Sequence, residues 1–255
     1  MINFFREDAV RVQRPRVARR IVMAKVSERV NVAVNALLEG NQRFAAGLRS
    51  IETMLSALRM KDLAEKGQKP FAIIVTCSDS RLPAEILFDR GVGDLFVIRM
   101  AGNVVTEEVI ASIEFAALKF GTPLCLVMGH TKCGAMDAAH QILGGDGAAP
   151  TAYLGQLISR IHVPFERTRA LCSGHEHGQG EFVSKLTEQN IQFGVEEILK
   201  RITSLKELAS RGEFAVIGAL VDLHQGRLTL QGSLADQGIE IRHSQIVGPA
   251  QDLSI

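Results

Sequence analysis

Phe71-Ala72-Ile73-Ile74-Val75-Thr76, followed at once by Cys77-Ser78-Asp79-Ser80, is the stretch on which the fold turns. A short unbroken apolar run, rich in β-branched residues and cut off by small polar ones, has the length and composition of a strand buried on both faces. Leu95-Phe96-Val97-Ile98 and Leu124-Cys125-Leu126-Val127-Met128 read the same way. Between these runs, helical patterns occupy about 83–88 and 106–120, the second stopped by Gly121 and Pro123. Strands alternating with helices predict an α/β fold, a mainly parallel sheet flanked by helices. Ligands of such sheets sit outside the carboxyl ends of the strands. The residues just after each apolar run are therefore the first place to look for chemistry.

Working outward, apolar residues recur at helical spacing from Asn31 to Leu48 (Val34, Leu37, Leu38, Phe44). A second helical stretch runs from about Ser50 to Ala64 before Gly67 breaks it. Downstream, Gly144 to Ala149 reads as a Gly/Ala loop and 151–171 and 181–209 as helical. Phe214 to Leu223 with Arg227 to Leu230 reads as a C-terminal hairpin turning at Gln225-Gly226. Residues 1–30 are a basic N-terminal arm, eight Lys or Arg against three acids, without the apolar centre of a secretory signal. An organelle-targeting segment is the alternative reading of that arm, and the early Glu7 and Asp8 weigh against it. The expected organisation is the arm over 1–30 and one α/β domain over 31–255.

With 255 residues, 46% of them hydrophobic, the chain can bury a sizeable core. A net charge of +1 supplies no overall field for gathering nucleic acid, so the expected ligand is small. No run of eighteen or more apolar residues occurs, and the expectation is a soluble protein of the cytoplasm. Four cysteines in a chain of this length do not make a disulfide framework, and reduced thiols are available to bind metal.

Cys77 follows one buried run; His130 and Cys133 follow another. Zinc favours thiolate and imidazole, and a catalytic zinc takes three protein ligands with a fourth position left for water. A tight turn into a helix over Gly134 to Leu143 can aim His130 and Cys133 at one point, and the start of that helix favours a thiolate at Cys133. The bland reading is that both cysteines are small buried fillers, as mid-strand Cys125 is expected to be. Cys172 with His175 and His177 makes a rival cluster in a Gly-rich loop; His140, His162 and His224 read as surface or core histidines. Asp79 and Arg81 flank Ser80 just beyond Cys77. A guanidinium fork that holds the Asp79 carboxylate leaves the fourth position of zinc open, whereas an Asp79 that swings onto the metal closes it.

Cys77-Ser-Asp79-Ser-Arg81 followed by His130-Thr-Lys-Cys133-Gly134 resembles the β-class carbonic anhydrases. The resemblance extends through Gly67-Gln68, Gly93-Asp94-Leu-Phe96-Val, Arg99 with Ala101-Gly102-Asn103, Glu114-Phe115-Ala116 and Gly218 to Gly226, from about Ala36 to Leu230. It implies one Zn2+ per chain on Cys77, His130 and Cys133, with Asp79 and Arg81 as the catalytic pair. It also implies reversible hydration of carbon dioxide to bicarbonate by hydroxide generated at the metal, in a homodimer or a dimer of dimers. Gln68, supplied by a partner subunit, with Phe96, Ala101, Gly102 and Phe115, falls where the family lines its substrate pocket; Phe115 replaces a tyrosine common there. A branch of the family with a closed zinc has a tryptophan three residues before the first cysteine. Here that residue is Ile74, and the chain holds no Trp, so the open form is expected. A hydrolase of carbon disulfide or carbonyl sulfide on the same site, and a non-catalytic zinc- or bicarbonate-binding protein, are the alternatives. No proton shuttle is evident; His140 is a nearby candidate.

Overall fold

The computed structural model describes residues 26–48, 56–173 and 178–232. Most of the basic arm, the start of the second helical stretch, His175, His177 and the tail from 233 lie outside them. The first helix, α1 (Glu28–Ala45), begins inside the segment read as arm, and α2 is Ser56–Lys66. Three apolar runs form the parallel core of the sheet: β1 (Ala72–Thr76), β2 (Leu95–Arg99) and β3 (Leu124–His130). Between them lie the short α3 (Ala84–Leu87) and α4 (Glu107–Phe120). Helix α4 is opened by Thr106, whose side chain accepts from Val109 N–H, and closed by Gly121 in the left-handed region.

After β3 come α5 (Gly134–Gly144), α6 (Ala152–Ser159), α7 (His162–Leu171), α8 (Gln179–Arg201) and α9 (Lys206–Ser210). The strands β4 (Ala215–Asp222) and β5 (Arg227–Gln231) then form the antiparallel hairpin read from the sequence. Two stretches expected to be continuous helix are divided. The 151–171 stretch breaks at Arg160-Ile161, ahead of Pro164 in the first turn of α7, where a residue without N–H is tolerated. The 181–209 stretch breaks at Ile202, whose ψ of 62° is not helical and whose side chain is buried.

The strand order is β2-β1-β3-β4-β5, parallel except for the β4–β5 pair. The chain moves from β1 to one side for β2 and crosses back to the other for β3. The connections therefore leave the sheet in opposite directions at β1 and β3, which opens a crevice at the carboxyl ends of those two strands. Alternation along the strands feeds two cores. Ile74, Leu124, Leu126, Met128 and Ile217 face one side with α1, α3 and α5; Ile73, Val75, Cys125, Val127 and Val216 face the other with α4 and the middle of α8. Burial of each large aliphatic side chain contributes about 1.5–3 kcal/mol. The crevice is thus framed by the most completely buried part of the molecule.

Candidate metal centre

Cys77 leaves β1 at its carboxyl end, and His130 is the last residue of β3. Parallel pairing of the two strands sets these ends side by side, Thr76 against Met128. Lys132 takes a left-handed turn (φ 54°) that delivers Cys133 to the start of α5. As a result, ligand atoms of Cys77, His130 and Cys133 all lie within 4.8 Å of one another, with the two Sγ atoms 4.0 Å apart. All three side chains are buried, His130 completely.

The imidazole is set for coordination. His130 Nδ1 lies 2.9 Å from the carbonyl oxygen of Thr131. A carbonyl can only accept, so Nδ1 carries the proton and Nε2 keeps its lone pair. That Nε2 is buried with no hydrogen-bond partner. An orphaned buried acceptor between two thiols is costly unless something electrophilic fills the space. The thiols point to the same conclusion. The hydrogen bond from Cys133, helped by the Gly102 N–H at 3.3 Å, holds the Cys77 thiol well below its usual range. The same contact with Cys77, together with burial, pushes the Cys133 thiol far up. Two sulfurs and one imidazole nitrogen around a shared point match the donor set of a zinc site with one position open.

Asp79 and Arg81 stand at the rim. Arg81 donates from Nε to Asp79 Oδ1 (2.8 Å) and from Nη2 to Oδ2 (2.6 Å), and its backbone N–H donates to Oδ1 (3.0 Å). Arg81 Nη2 also donates to the Lys132 carbonyl at 3.1 Å, which ties the fork to the loop between His130 and Cys133. These bonds hold the Asp79 carboxyl well below the usual carboxylate range. Asp79 Oδ2 lies 3.9 Å from His130 Nε2, beside the cluster and held away from it by the fork. Arg99 entered the sequence analysis only as part of the family resemblance, with no role assigned to it. It donates from Nε to the Cys77 carbonyl and from Nη2 to the Asp79 carbonyl, pinning the backbone that carries both residues.

The residues expected to line a substrate pocket separate into two groups. Gly102 sits at the cluster, its N–H donating to Cys77 Sγ, and Ala101 precedes it in the same turn. Gly102 has a φ of 66°, and a Cβ there would stand 3.0 Å from Met136 Cε, so the position favours glycine. Gln68, Phe96 and Phe115 do not reach the cluster of their own subunit. Gln68 precedes β1, at the opposite end of the strand from Cys77, and lines a separate cavity with Phe71, Lys119 and Phe120. Phe96 and Phe115 pack with Phe120, ring centroids 5.6–6.3 Å apart, on the α4 side of edge strand β2. His140 is half-buried against Phe182, ring centroids 4.8 Å apart. Mid-strand Cys125 is completely buried, and its thiol is pushed up by that burial.

Residues 72–228 match the family model described as carbonic anhydrase. The relative named carbonic anhydrase 2 of Mycobacterium tuberculosis is 35% identical over 209 residues, which cover 82% of this chain and 96% of that protein. A β-carbonic anhydrase structure from Aspergillus fumigatus superposes with a TM-score of 0.60 at 25% identity, covering 72% of this chain and 88% of the other. The chain belongs to the β-class carbonic anhydrases. A further structural neighbour, one of two tetrameric β-carbonic anhydrases from Sordaria macrospora, shares the fold with a TM-score of 0.61 at 22% identity, covering 71% of this chain and 89% of that one. For a carbonic anhydrase, the position of the Cys77–His130–Cys133 cluster at the crevice of the sheet is where chemistry is expected.

Proposed function

We propose that the chain catalyses the reversible hydration of carbon dioxide to bicarbonate and a proton, with one Zn2+ held by Cys77 Sγ, His130 Nε2 and Cys133 Sγ. The observation that carries this reading is the buried, partnerless His130 Nε2 between two thiols, with the Asp79 carboxylate held just off the cluster. When bound, the ion supplies Lewis acidity that brings the pKa of water toward neutrality. The remaining work falls to the chain. Asp79, ionised throughout the working range, accepts a hydrogen bond from the attacking water at Oδ2 and turns a lone pair of that water toward carbon dioxide. Arg81 keeps Asp79 in that role and off the metal; this is the open form. Ala101 and Gly102 present a small, apolar surface beside Cys77 that suits an uncharged linear gas.

Gln68, Phe96 and Phe115 enter the site only from a second copy of the chain. Phe115 is 54% exposed, and with exposed Leu118 and half-buried Phe120 on the same helix it leaves an apolar face on α4 next to edge strand β2. A homodimer, or a dimer of dimers, that covers this face would carry Gln68 and the aromatic residues toward the partner's metal centre. The ligand thiols must stay reduced, which suits the cytoplasm. Among the described residues no helix is long and apolar enough to cross a membrane.

The test is 18O exchange between labelled bicarbonate and water. Zinc-loaded protein is expected to exchange rapidly, and His130→Ala, depleted of zinc, to fall to the uncatalysed rate. Exchange that survives in metal-free His130→Ala contradicts the proposal. Release of sulfide from carbon disulfide without any exchange assigns the same centre to the sulfur analogues.

A further inference from the structure

On the far side of the Ala101–Asn103 turn from the metal cluster lies a cavity of about 200 Å3, between that turn, the α6–α7 junction and α8. Its polar lining comes from Asn103, Ser159, Arg160, Asn190, Glu197 and Arg201. Asn103 is 2% exposed, and its Nδ2 has no hydrogen-bond partner. It also stands in the left-handed region (φ 44°), directly after Gly102 in the same region. A buried amide donor left without an acceptor is destabilising, and backbone held in that region adds to the cost. Its neighbour Asn190 is satisfied, donating to the Gly102 carbonyl at 2.8 Å.

The charges favour an acceptor-rich occupant. Arg160 is exposed at the end of α6. Arg201 is 28% exposed, and its contact with Glu107 is long at 3.7 Å. Against these two guanidinium groups the cavity sets one carboxylate, Glu197, which lies 3.6 Å from Lys200. From outside the lining, Glu107 and Glu108 at the start of α4 face Arg201 and Arg160 in turn; within the lining, two guanidinium groups and an unpartnered amide N–H meet one carboxylate, in a space too small for a nucleotide.

We infer that this cavity binds a small oxyanion of the phosphate class, held by Arg160 and Arg201 and capped by the Asn103 amide. The site is separate from the metal centre and does not depend on zinc or on carbon dioxide hydration.

The test is calorimetric titration of inorganic phosphate into the full-length, zinc-loaded protein, in parallel with Arg160→Ala, Arg201→Ala and the double variant. Saturable binding is expected, at least tenfold weaker in each single variant and absent in the double variant, while carbon dioxide hydration and circular dichroism stay as in the parent. Asn103→Asp, which places a negative charge in the buried end, is expected to lose binding as well. Phosphate bound equally well by the double variant, as it would be at the metal, overturns the inference, and so does an absence of saturable binding up to about 20 mM. Glycerol 3-phosphate bound more tightly than phosphate, with the same dependence on the arginines, keeps the site and assigns it to a phosphomonoester instead of the free ion.

Discussion

At the residue scale the proposed chemistry rests on a division of labour between neighbours two positions apart. Cys77 is buried and faces the cluster; Asp79, with 17% of its side chain exposed, faces the rim; Arg81, half exposed, grips Asp79 from outside. The two hydrogen bonds from the fork hold the carboxylate in its ionised, acceptor-only form. Asp79→Asn keeps the size and removes the charge. It is expected to retain about one zinc per chain by plasma emission analysis while kcat falls about a hundredfold or more, the usual scale for losing a positioned proton acceptor. Undiminished kcat would remove Asp79 from the mechanism. The residues of the Cys77–His130–Cys133 cluster and the Asp79–Arg81 pair could be singled out in the sequence because each follows an apolar run at short spacing. The Lys132 and Arg99 contacts could not be, because both act through backbone carbonyls that carry no sequence signature. The Gly102-Asn103 pair was a readable turn signal that the sequence reading did not use for structure.

At the element scale, the ends of β1 and β3 place the site, and what packs behind them keeps those ends in register. Helix α1 lies against α3 so closely that a Cβ on Gly40 would stand 1.8 Å from the Phe88 carbonyl oxygen. The obstacle is backbone, so a side chain there must displace a helix. Gly40→Ala is expected to lose about 1–3 kcal/mol or more in urea unfolding, and unchanged stability would show that α1 is not seated as described. Strand runs were legible because burial on both faces leaves an unbroken apolar stretch such as Leu124–Met128. The break at Arg160-Ile161 had a signal in Pro164 that the helical periodicity overrode. The break at Ile202 had none: an apolar residue in a helical pattern leaves the helix because the core takes its side chain.

At the scale of the whole molecule, the order β2-β1-β3-β4-β5 turns five separate runs into one crevice. Strand order is a property of pairings between distant residues, and no local pattern carries it. The same limit explains why Gln68, Phe96 and Phe115, grouped by resemblance with Ala101 and Gly102, lie apart from them within one subunit. The exposed face of α4 is the expected contact between copies. Leu118, 60% exposed on that face, is free of the catalytic cluster. Leu118→Glu is expected to shift the protein toward monomer in sedimentation equilibrium and to lower the hydration rate with it. A variant that stays oligomeric and fully active would move the interface elsewhere.

The open metal centre is tested most directly by stopped-flow proton release from carbon dioxide, in protein carrying one zinc per chain, followed from pH 7 to 9. Because Asp79 is ionised far below this range and gripped by Arg81, a fast, zinc-dependent rate already present at pH 7 is expected. A rate that emerges only toward pH 9 would mean that Asp79 occupies the metal at neutral pH and that the fork does not hold it.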